Sequence, residues 1–268
     1  MRPVNIDKRI YPVRYFMIAN FFGELRKRNL FLFWFGVFNL FAALFVFSIW
    51  GFDKNLSYSL LKPIKYFLSI GVFSWSTAWA IYYLYPKKLR SFYSWTIIST
   101  MFFHNGIILL QTLRGVSVHE YNNLLPLDSL LFNLMLGCMS LFFLCILILT
   151  LHFFFQDKIA TSQHNTWGIR MGLVILLCSS MIGGWMLFRM SHTVGGNEGS
   201  AGLVFFNWSR RFGDLRVALF FGVHAFQIIP LVSHFFLTTK KQVILFSIFY
   251  SFIIIAFFCL AIMKIPFI

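Results

Sequence analysis

Residues 129–155 read SLLFNLMLGCMSLFFLCILILTLHFFF, a run of 27 residues without a single Asp, Glu, Lys or Arg. The hydrocarbon layer of a membrane is roughly 30 Å thick, and an α-helix crosses it with about 20 apolar residues. A helix of this length crosses the layer with residues to spare, so it can tilt. We therefore predict a transmembrane helix here.

Six further apolar runs lie on either side of this one. They cover residues 29–51, 66–85, 92–113, 167–190, 215–238 and 242–266. Hydrophobic residues make up 59% of the chain and charged residues 12%, whereas a soluble domain has about 45–50% and about 25%. The sequence therefore predicts an all-α integral membrane bundle of about seven transmembrane helices.

A basic segment, residues 1–28, precedes the first span. Its apolar stretches are too short to cross a membrane, and Lys and Arg residues flank them. This pattern is typical of a helix that lies in the membrane interface, where basic side chains meet anionic headgroups. We predict a cytoplasmic or interfacial N-terminal segment, followed by a single transmembrane domain at residues 29–268.

The distribution of Lys and Arg predicts the orientation of the chain. The formal net charge is +15, and basic residues flank the apolar runs, so the membrane explains them without nucleic acid as a partner. With the N-terminus in the cytoplasm, 14 of the 23 basic residues fall on the cytoplasmic side and 9 on the outer side. This excess predicts an N-in, C-out arrangement. We expect the membrane to be a cytoplasmic (inner) membrane.

The connection at residues 191–214 is long and rich in Gly, and it carries several polar side chains. Loops of this composition commonly bind ligands, and the apolar centre at 203–206 predicts that this one folds back against the bundle. Lys and Arg are usually in excess on the cytoplasmic side of a membrane, yet this predicted outer region is rich in arginine. The candidate ligand-binding residues are Arg210, Arg211, Arg216, Asn207, Glu198 and Gln227.

Three residues in and after this loop are candidates for catalysis, namely His192, His224 and Asp214. Histidine exchanges protons near neutral pH, and Asp214 is placed to cap the following helix and to orient Arg216 or a histidine. Asp214 and Arg216 are two residues apart, so they cannot share one helix face. We therefore predict that Arg216 points into the bundle, towards His224 or a bound anion.

His104 and His224 favour a different function, the binding of haem b. Each lies 9 residues below the outer end of its predicted helix, a depth of roughly 13 Å. Bis-His ligation takes one imidazole from each side of the iron, so two His at equal depth suit it. With 7 His in the chain, one such match also arises by chance. No spacing of a zinc motif is present among the His, Cys and acidic residues.

Residues 192–195 read HTVG, residues 207–209 read NWS, and residues 213–227 follow the pattern GDLRVAxFxGxHAxQ. Together they resemble a family of uncharacterised bacterial multi-pass membrane proteins. The resemblance implies no activity, only that this segment is the functional part of the chain. Members often carry a further His where this chain has Leu219, and this departure puts metal binding in doubt.

These observations favour a protein that binds a small anionic or amphipathic molecule at an outward-facing site. Transport, sensing and membrane-embedded chemistry are all compatible with such a site, so the sequence leaves open whether the protein is an enzyme. A haem-binding membrane electron carrier is one alternative. A structural subunit of a membrane complex, with a protein partner, is the other.

Overall fold

The computed structural model describes residues 13–52, 57–116, 126–156, 159–196, 202–203 and 205–267. In these residues the chain forms nine helices and two strands of two residues each. The helices are α1 (Val13–Arg28), α2 (Leu30–Phe52), α3 (Ser57–Ile81), α4 (Lys87–Leu113), α5 (Pro126–Phe155), α6 (Gln163–Arg189), α7 (Leu215–Val223), α8 (Ala225–Phe235) and α9 (Lys240–Ile262). The strands are β1 (Thr193–Val194) and β2 (Gly213–Asp214), which pair antiparallel. The predicted all-α fold is confirmed.

Five of the described helices are long and apolar enough to cross a membrane: α2, α4, α5, α6 and α9. The pair α7 and α8 forms a sixth candidate span with a bend of 43°. The chain is therefore a multi-pass membrane protein. Helix α3 covers residues 66–81 of the predicted span 66–85 but does not qualify, since Lys65 and several Ser and Thr lower its hydropathy. A total of seven spans stays a prediction.

The sixth span, predicted as one continuous helix over 215–238, is broken at His224. Pro230 lies inside α8 and has no N–H for the carbonyl of Phe226. Between His224 and this proline, the backbone N–H of Gln227 bonds to the carbonyl of His224, three residues earlier. A tightened turn next to a proline is a common cause of such a bend. His224 therefore lies at a corner of the backbone.

Close contacts between helices depend on small residues. A Cβ atom at Gly172 of α6 would lie 3.1 Å from the carbonyl oxygen of Ala225, and one at Gly168 would overlap Ser233 of α8. Without a hydrophobic force between helices in lipid, such close packing is what holds them together. Helix α6 consequently packs along α7, α8 and α9, while α3 packs along α2 and α4.

Large apolar side chains cover the outside of the described helices. Phe41, Phe45 and Phe188 are 67%, 67% and 88% exposed. Exposed apolar side chains of this size on nearly every span are expected for a surface that faces lipid rather than water. Contact with the lipid bilayer follows from this surface together with the spans.

Candidate functional site: a cation cluster beneath the 202–216 loop

The loop after β1 folds back against the helices, as its apolar centre predicts. Trp208 is buried, and its ring stacks on Phe206 with centroids 4.4 Å apart. Both rings pack against Phe220 of α7. Asn207, between them, has a positive φ of 56°, which a short polar side chain tolerates better than most. The turn at 206–208 thereby presents two backbone carbonyls to the neighbouring helices.

Asp214 is the N-cap of α7, as predicted. It has extended backbone angles, and its Oδ1 accepts the backbone N–H of Arg216 at 3.0 Å. Its Oδ2 accepts the N–H of Ser209 at 2.8 Å, and its side chain is fully buried. One carboxylate thus satisfies a free helix N–H and fixes the end of the 202–209 turn.

The prediction that Arg216 points away from Asp214 into the bundle is wrong. Arg216 Nε lies 2.9 Å from Asp214 Oδ1, and Nη2 lies 2.6 Å from Oδ2. The face rule applies to two residues inside one helix, whereas Asp214 is extended and lies outside it. From there its carboxylate reaches back over the first turn and meets the guanidinium in a bidentate ion pair.

Two cations hold the 206–207 turn from different helices. Arg216 Nη2 donates a hydrogen bond to the carbonyl of Asn207. Lys65 Nζ, on α3, donates to the carbonyl of the preceding residue, Phe206, at 3.1 Å. The loop and α3, which are 141 residues apart in sequence, therefore meet through charged side chains.

Lys62 lies one turn before Lys65 on α3 and joins them to form a cation cluster, defined as Lys62, Lys65 and Arg216. Burial and the charges of Lys65 and Arg216 lower the pKa of Lys62 from 10.5 to about 8. Burial and the charge of Arg216 likewise lower the pKa of Lys65 to about 8, against the opposing effect of Asp214. Both lysines precede residue 66, where the predicted span begins. Three cations therefore lie within electrostatic range of one another.

Asp214 is ionised at neutral pH despite its burial. Burial alone would raise the pKa of its carboxyl, but the bonds and charge of Arg216 and the N–H of Ser209 lower it further than burial raises it. Its negative charge balances one of the three cations. In the described residues the cluster therefore keeps an excess of positive charge, and an anion is the ligand that such an excess attracts.

The other candidate residues of the 192–227 segment, His224, Gln227 and His192, contact groups outside the cation cluster. His224 Nδ1 lies 2.7 Å from the carbonyl of Phe220, and the two rings are in contact. The Gln227 amide, with its oxygen and nitrogen assigned to suit the neighbouring acceptors, donates to the carbonyls of His224 and Val223, at 3.0 and 3.1 Å. His192 Nδ1 lies 3.1 Å from the Thr193 hydroxyl. His224 and Gln227 thus bond to their own helix backbone and do not reach the cluster through these contacts.

Arg210, Arg211 and Asn207 are exposed at the edge of the loop. Within the described residues, none of these three side chains has a bond to the cluster. Glu198 lies outside the described residues, as do residues 197–201 in general, so its predicted role stays a prediction.

The two His residues predicted to hold haem lie on helices that make no extensive contact within the described residues. His104 of α4 is buried against Tyr66 of α3, whereas His224 packs against Phe220. Helices α4 and α7 are not among the pairs in extensive contact in the described part of the chain. Across the same residues, no group of three or more His, Cys, Asp or Glu forms a metal site.

Lys62 and Lys65 are the two members of the cluster that sequence analysis did not single out. They count among the outer-side cations, and their spacing of three places both on one helix face. Two basic residues at the outer start of a span work against the usual charge bias, as the arginines of the loop do. They could have been singled out on the same ground. Only the folded chain shows that they approach Arg216.

Comparisons with known protein families, with curated proteins and with solved structures find no match.

Proposed function

We propose that this multi-pass protein binds a small anionic or amphipathic molecule through the cation cluster. The observation that carries the proposal is the approach of Lys62, Lys65 and Arg216 around a single described carboxylate, that of Asp214. Like charges this close repel one another, and burial adds to the unfavourable energy. An anion bound in the cluster reduces both the repulsion among the cations and the unfavourable energy of their burial.

Each cation has a chemical part in the proposed site. Arg216 is held in place by Asp214 and is therefore a pre-organised donor with a fixed direction. Lys62 has no hydrogen-bond partner among the described residues and is free to turn to a ligand. Lys65 bonds to one carbonyl and has two further donors.

The membrane position favours a ligand with an apolar part. The cluster lies where the predicted span of α3 begins, and Phe205, which is 37% exposed, directly precedes the residue whose carbonyl Lys65 binds. A molecule with an anionic head and an apolar tail places its head at such a site without leaving the lipid. Transport, sensing and membrane-embedded chemistry all begin with this binding step, and a role as a structural subunit does not need it.

The proposed topology has seven spans with the N-terminus inside, in a bacterial inner membrane. Counting α3 as a span adds one to the six candidates, and the 14 to 9 excess of basic residues gives the orientation. The cluster and the 191–214 loop then face the outer side.

In the same proposal, the pattern at 192–227 marks the functional part of the chain, and His192 is placed to exchange protons with solvent there.

Calorimetric titration of the purified protein in nanodiscs of zwitterionic lipid tests the proposal. Sulfate probes the anion alone, dodecyl phosphate probes an anionic amphiphile, and dodecanol is the neutral control. We expect both anions to bind at pH 7, dodecyl phosphate more tightly, with affinity that falls as salt rises.

Lys65→Met should weaken both anions at least tenfold, because one lost bond to a charged group is worth about 1.5–3 kcal/mol. Arg189→Gln is the matched control, since Arg189 packs over Trp185 outside the cluster, and it should leave affinity within about twofold. A wild-type protein that binds neither anion, or an equal loss in both variants, contradicts the proposed site.

A further inference from the structure

A second group of basic side chains lies at the end of the bundle opposite the cation cluster. Helix α3 is 25 residues long, or roughly 38 Å at 1.5 Å per residue. Lys62 and Lys65 lie near its start, whereas Tyr82 directly follows its last residue. The end of α1 and the first turn of α4 both contact Tyr82. The two basic groups are therefore separate places on the protein.

Two arginines share the aromatic ring of Tyr82. The guanidinium carbon of Arg28, the last residue of α1, lies 4.7 Å from the ring centroid, and that of Arg90, in the first turn of α4, lies 5.0 Å from it. Arg28 Nη1 donates to the hydroxyl of Tyr83 at 2.9 Å. Arg90 Nε donates to the carbonyl of Leu84 at 3.0 Å. The ring and these two bonds hold both guanidiniums at one place.

Little negative charge balances these two cations. The carboxylate of Glu24 is half-exposed and lies 3.8 Å from Arg28, but it lies equally close to Lys27. Among the described residues Arg90 has no ion pair, and neither Arg28 Nη2 nor the Nη atoms of Arg90 donate a hydrogen bond. Lys88, exposed at the start of α4, adds further positive charge. The group therefore offers N–H donors and positive charge to an anion.

Exposed aromatic rings place these donors at the level of the lipid headgroups. Tyr82 and Tyr85 are exposed, and so is Trp34, whose ring lies 5.9 Å from the guanidinium of Arg26. Tyr and Trp are enriched at the boundary between lipid and water, where their rings lie among the headgroups. A lipid phosphate lies at the same depth, whereas a soluble anion has to be drawn from water. The position therefore favours lipid as the source of the anion.

We propose that the phosphate of an anionic phospholipid binds beside Tyr82, against the guanidiniums of Arg28 and Arg90. Guanidinium groups match the oxygens of a phosphate in geometry and charge, and basic pockets between membrane helices hold anionic headgroups. The bound lipid joins α1 to α4 and offsets the repulsion between the two cations. In the proposed topology this end faces the cytoplasm, where anionic lipid is abundant, but the binding itself does not depend on the orientation.

Native mass spectrometry of the purified protein in neutral detergent tests the inference. Titration with phosphatidylglycerol should show binding at least tenfold tighter than that of phosphatidylcholine, whose positive amine the cations repel. Glycerol phosphate carries the phosphate without acyl chains and should bind at least tenfold more weakly than the lipid. Each titration is repeated with Lys65→Met, which weakens binding at the cation cluster and should leave this affinity unchanged.

Matched substitutions separate a defined site from a general attraction of lipid to basic residues. Arg90→Gln and Lys88→Gln remove the same charge from the same helix turn, but Lys88 has no described contact with Tyr82. Arg90→Gln should weaken phosphatidylglycerol binding at least tenfold, and Lys88→Gln should leave it within about twofold. Tyr82→Leu should also weaken it, because the ring holds both guanidiniums. Tyr85→Leu removes an exposed ring that has no described contact with either arginine, so it should not.

Equal losses in Arg90→Gln and Lys88→Gln overturn the inference, because they show attraction to charge alone. Should Arg90→Gln fail to fold, equal binding by Tyr82→Leu and Tyr85→Leu has the same meaning. Equal affinity of the wild type for phosphatidylglycerol and phosphatidylcholine overturns the inference as well. If glycerol phosphate binds as tightly as the lipid, the ligand is a soluble phosphate and the lipid site is wrong. An affinity that is lost in Lys65→Met places the lipid at the cation cluster instead.

Discussion

The guanidinium of Arg216 turns back onto the carboxylate of Asp214, with Nη2 2.6 Å from Oδ2 and Nε 2.9 Å from Oδ1. The same carboxylate caps α7 and holds the N–H of Ser209. Arg216 in turn donates to the carbonyl of Asn207. The start of the helix, the loop and one cation of the cluster are therefore fixed by one ion pair, whose carboxylate is buried.

Asp214→Asn should lower the free energy of unfolding by about 1.5–3 kcal/mol, the usual worth of hydrogen bonds to a charged group. Asn also caps a helix, so the loss comes from the unpaired guanidinium of Arg216 and not from the cap. Thermal unfolding in neutral nanodiscs measures it. Glu24→Gln, whose carboxylate is half-exposed and 3.8 Å from Lys27 and Arg28, should change stability by less than about 1 kcal/mol. Equal losses of stability in the two variants would show that the Asp214–Arg216 ion pair contributes no more than an exposed one.

Arg216→Lys should weaken sulfate binding and also reduce stability. A lysine keeps the charge but cannot contact both carboxylate oxygens and the Asn207 carbonyl with one rigid planar group. We expect at least a tenfold loss of sulfate affinity, measured by calorimetry, together with a lower unfolding temperature. A variant with wild-type affinity and stability would show that the bidentate geometry of Arg216 has no role.

Gly222→Ala should destabilise the contact between α6 and α7 by about 1–3 kcal/mol, because an added Cβ would overlap Ser179. Gly184→Ala is the matched control, since nothing lies within 4 Å of its added methyl group and Ala favours helix by up to about 1 kcal/mol. Unfolding temperatures of the two variants should therefore move in opposite directions. Parallel shifts would contradict the packing of α6 on α7.

Reporter fusions test the proposed topology. A fusion after Lys241 should report the cytoplasm and a fusion after Gly199 the outer side, because the excess of basic residues lies on the N-terminal side. The reverse pattern at both positions would refute the N-in arrangement and would place the cation cluster in the cytoplasm.

The spans were predictable because lipid imposes a simple local rule on sequence. The run 167–190 corresponds to α6, Gln163–Arg189, and the run 242–266 corresponds to α9, Lys240–Ile262. The bend at His224 was not predicted, since an apolar run continues through it, although Pro230 was a visible signal. Local rules of this kind give element positions and not their kinks.

The site was predictable only in part. Sequence pointed to Asp214 as a cap and to Arg216 as an anion-binding residue, because both lie beside the first turn of a predicted helix. It missed Lys62 and Lys65, since the contact of Lys65 with Phe206 spans 141 residues and no local pattern encodes it. It paired His104 with His224 on depth alone, and depth does not say which helices are neighbours.

The central claim is that Lys62 is held in the cation cluster for an anion, at a cost to the stability of the empty protein. A lysine whose pKa falls from 10.5 to about 8 on folding binds fewer protons when folded, so stability should rise with pH between these values. Met replaces the stem of the side chain without its charge, so Lys62→Met should lose this dependence.

The most direct measurement is the unfolding temperature of wild type and Lys62→Met at pH 7, each with and without sulfate. We predict that Lys62→Met unfolds about 2–4 °C higher without sulfate, the shift for about 1 kcal/mol in a protein of this size, and that sulfate stabilises the wild type more than the variant. A Lys62→Met variant that unfolds below the wild type and gains as much stability from sulfate would contradict the account.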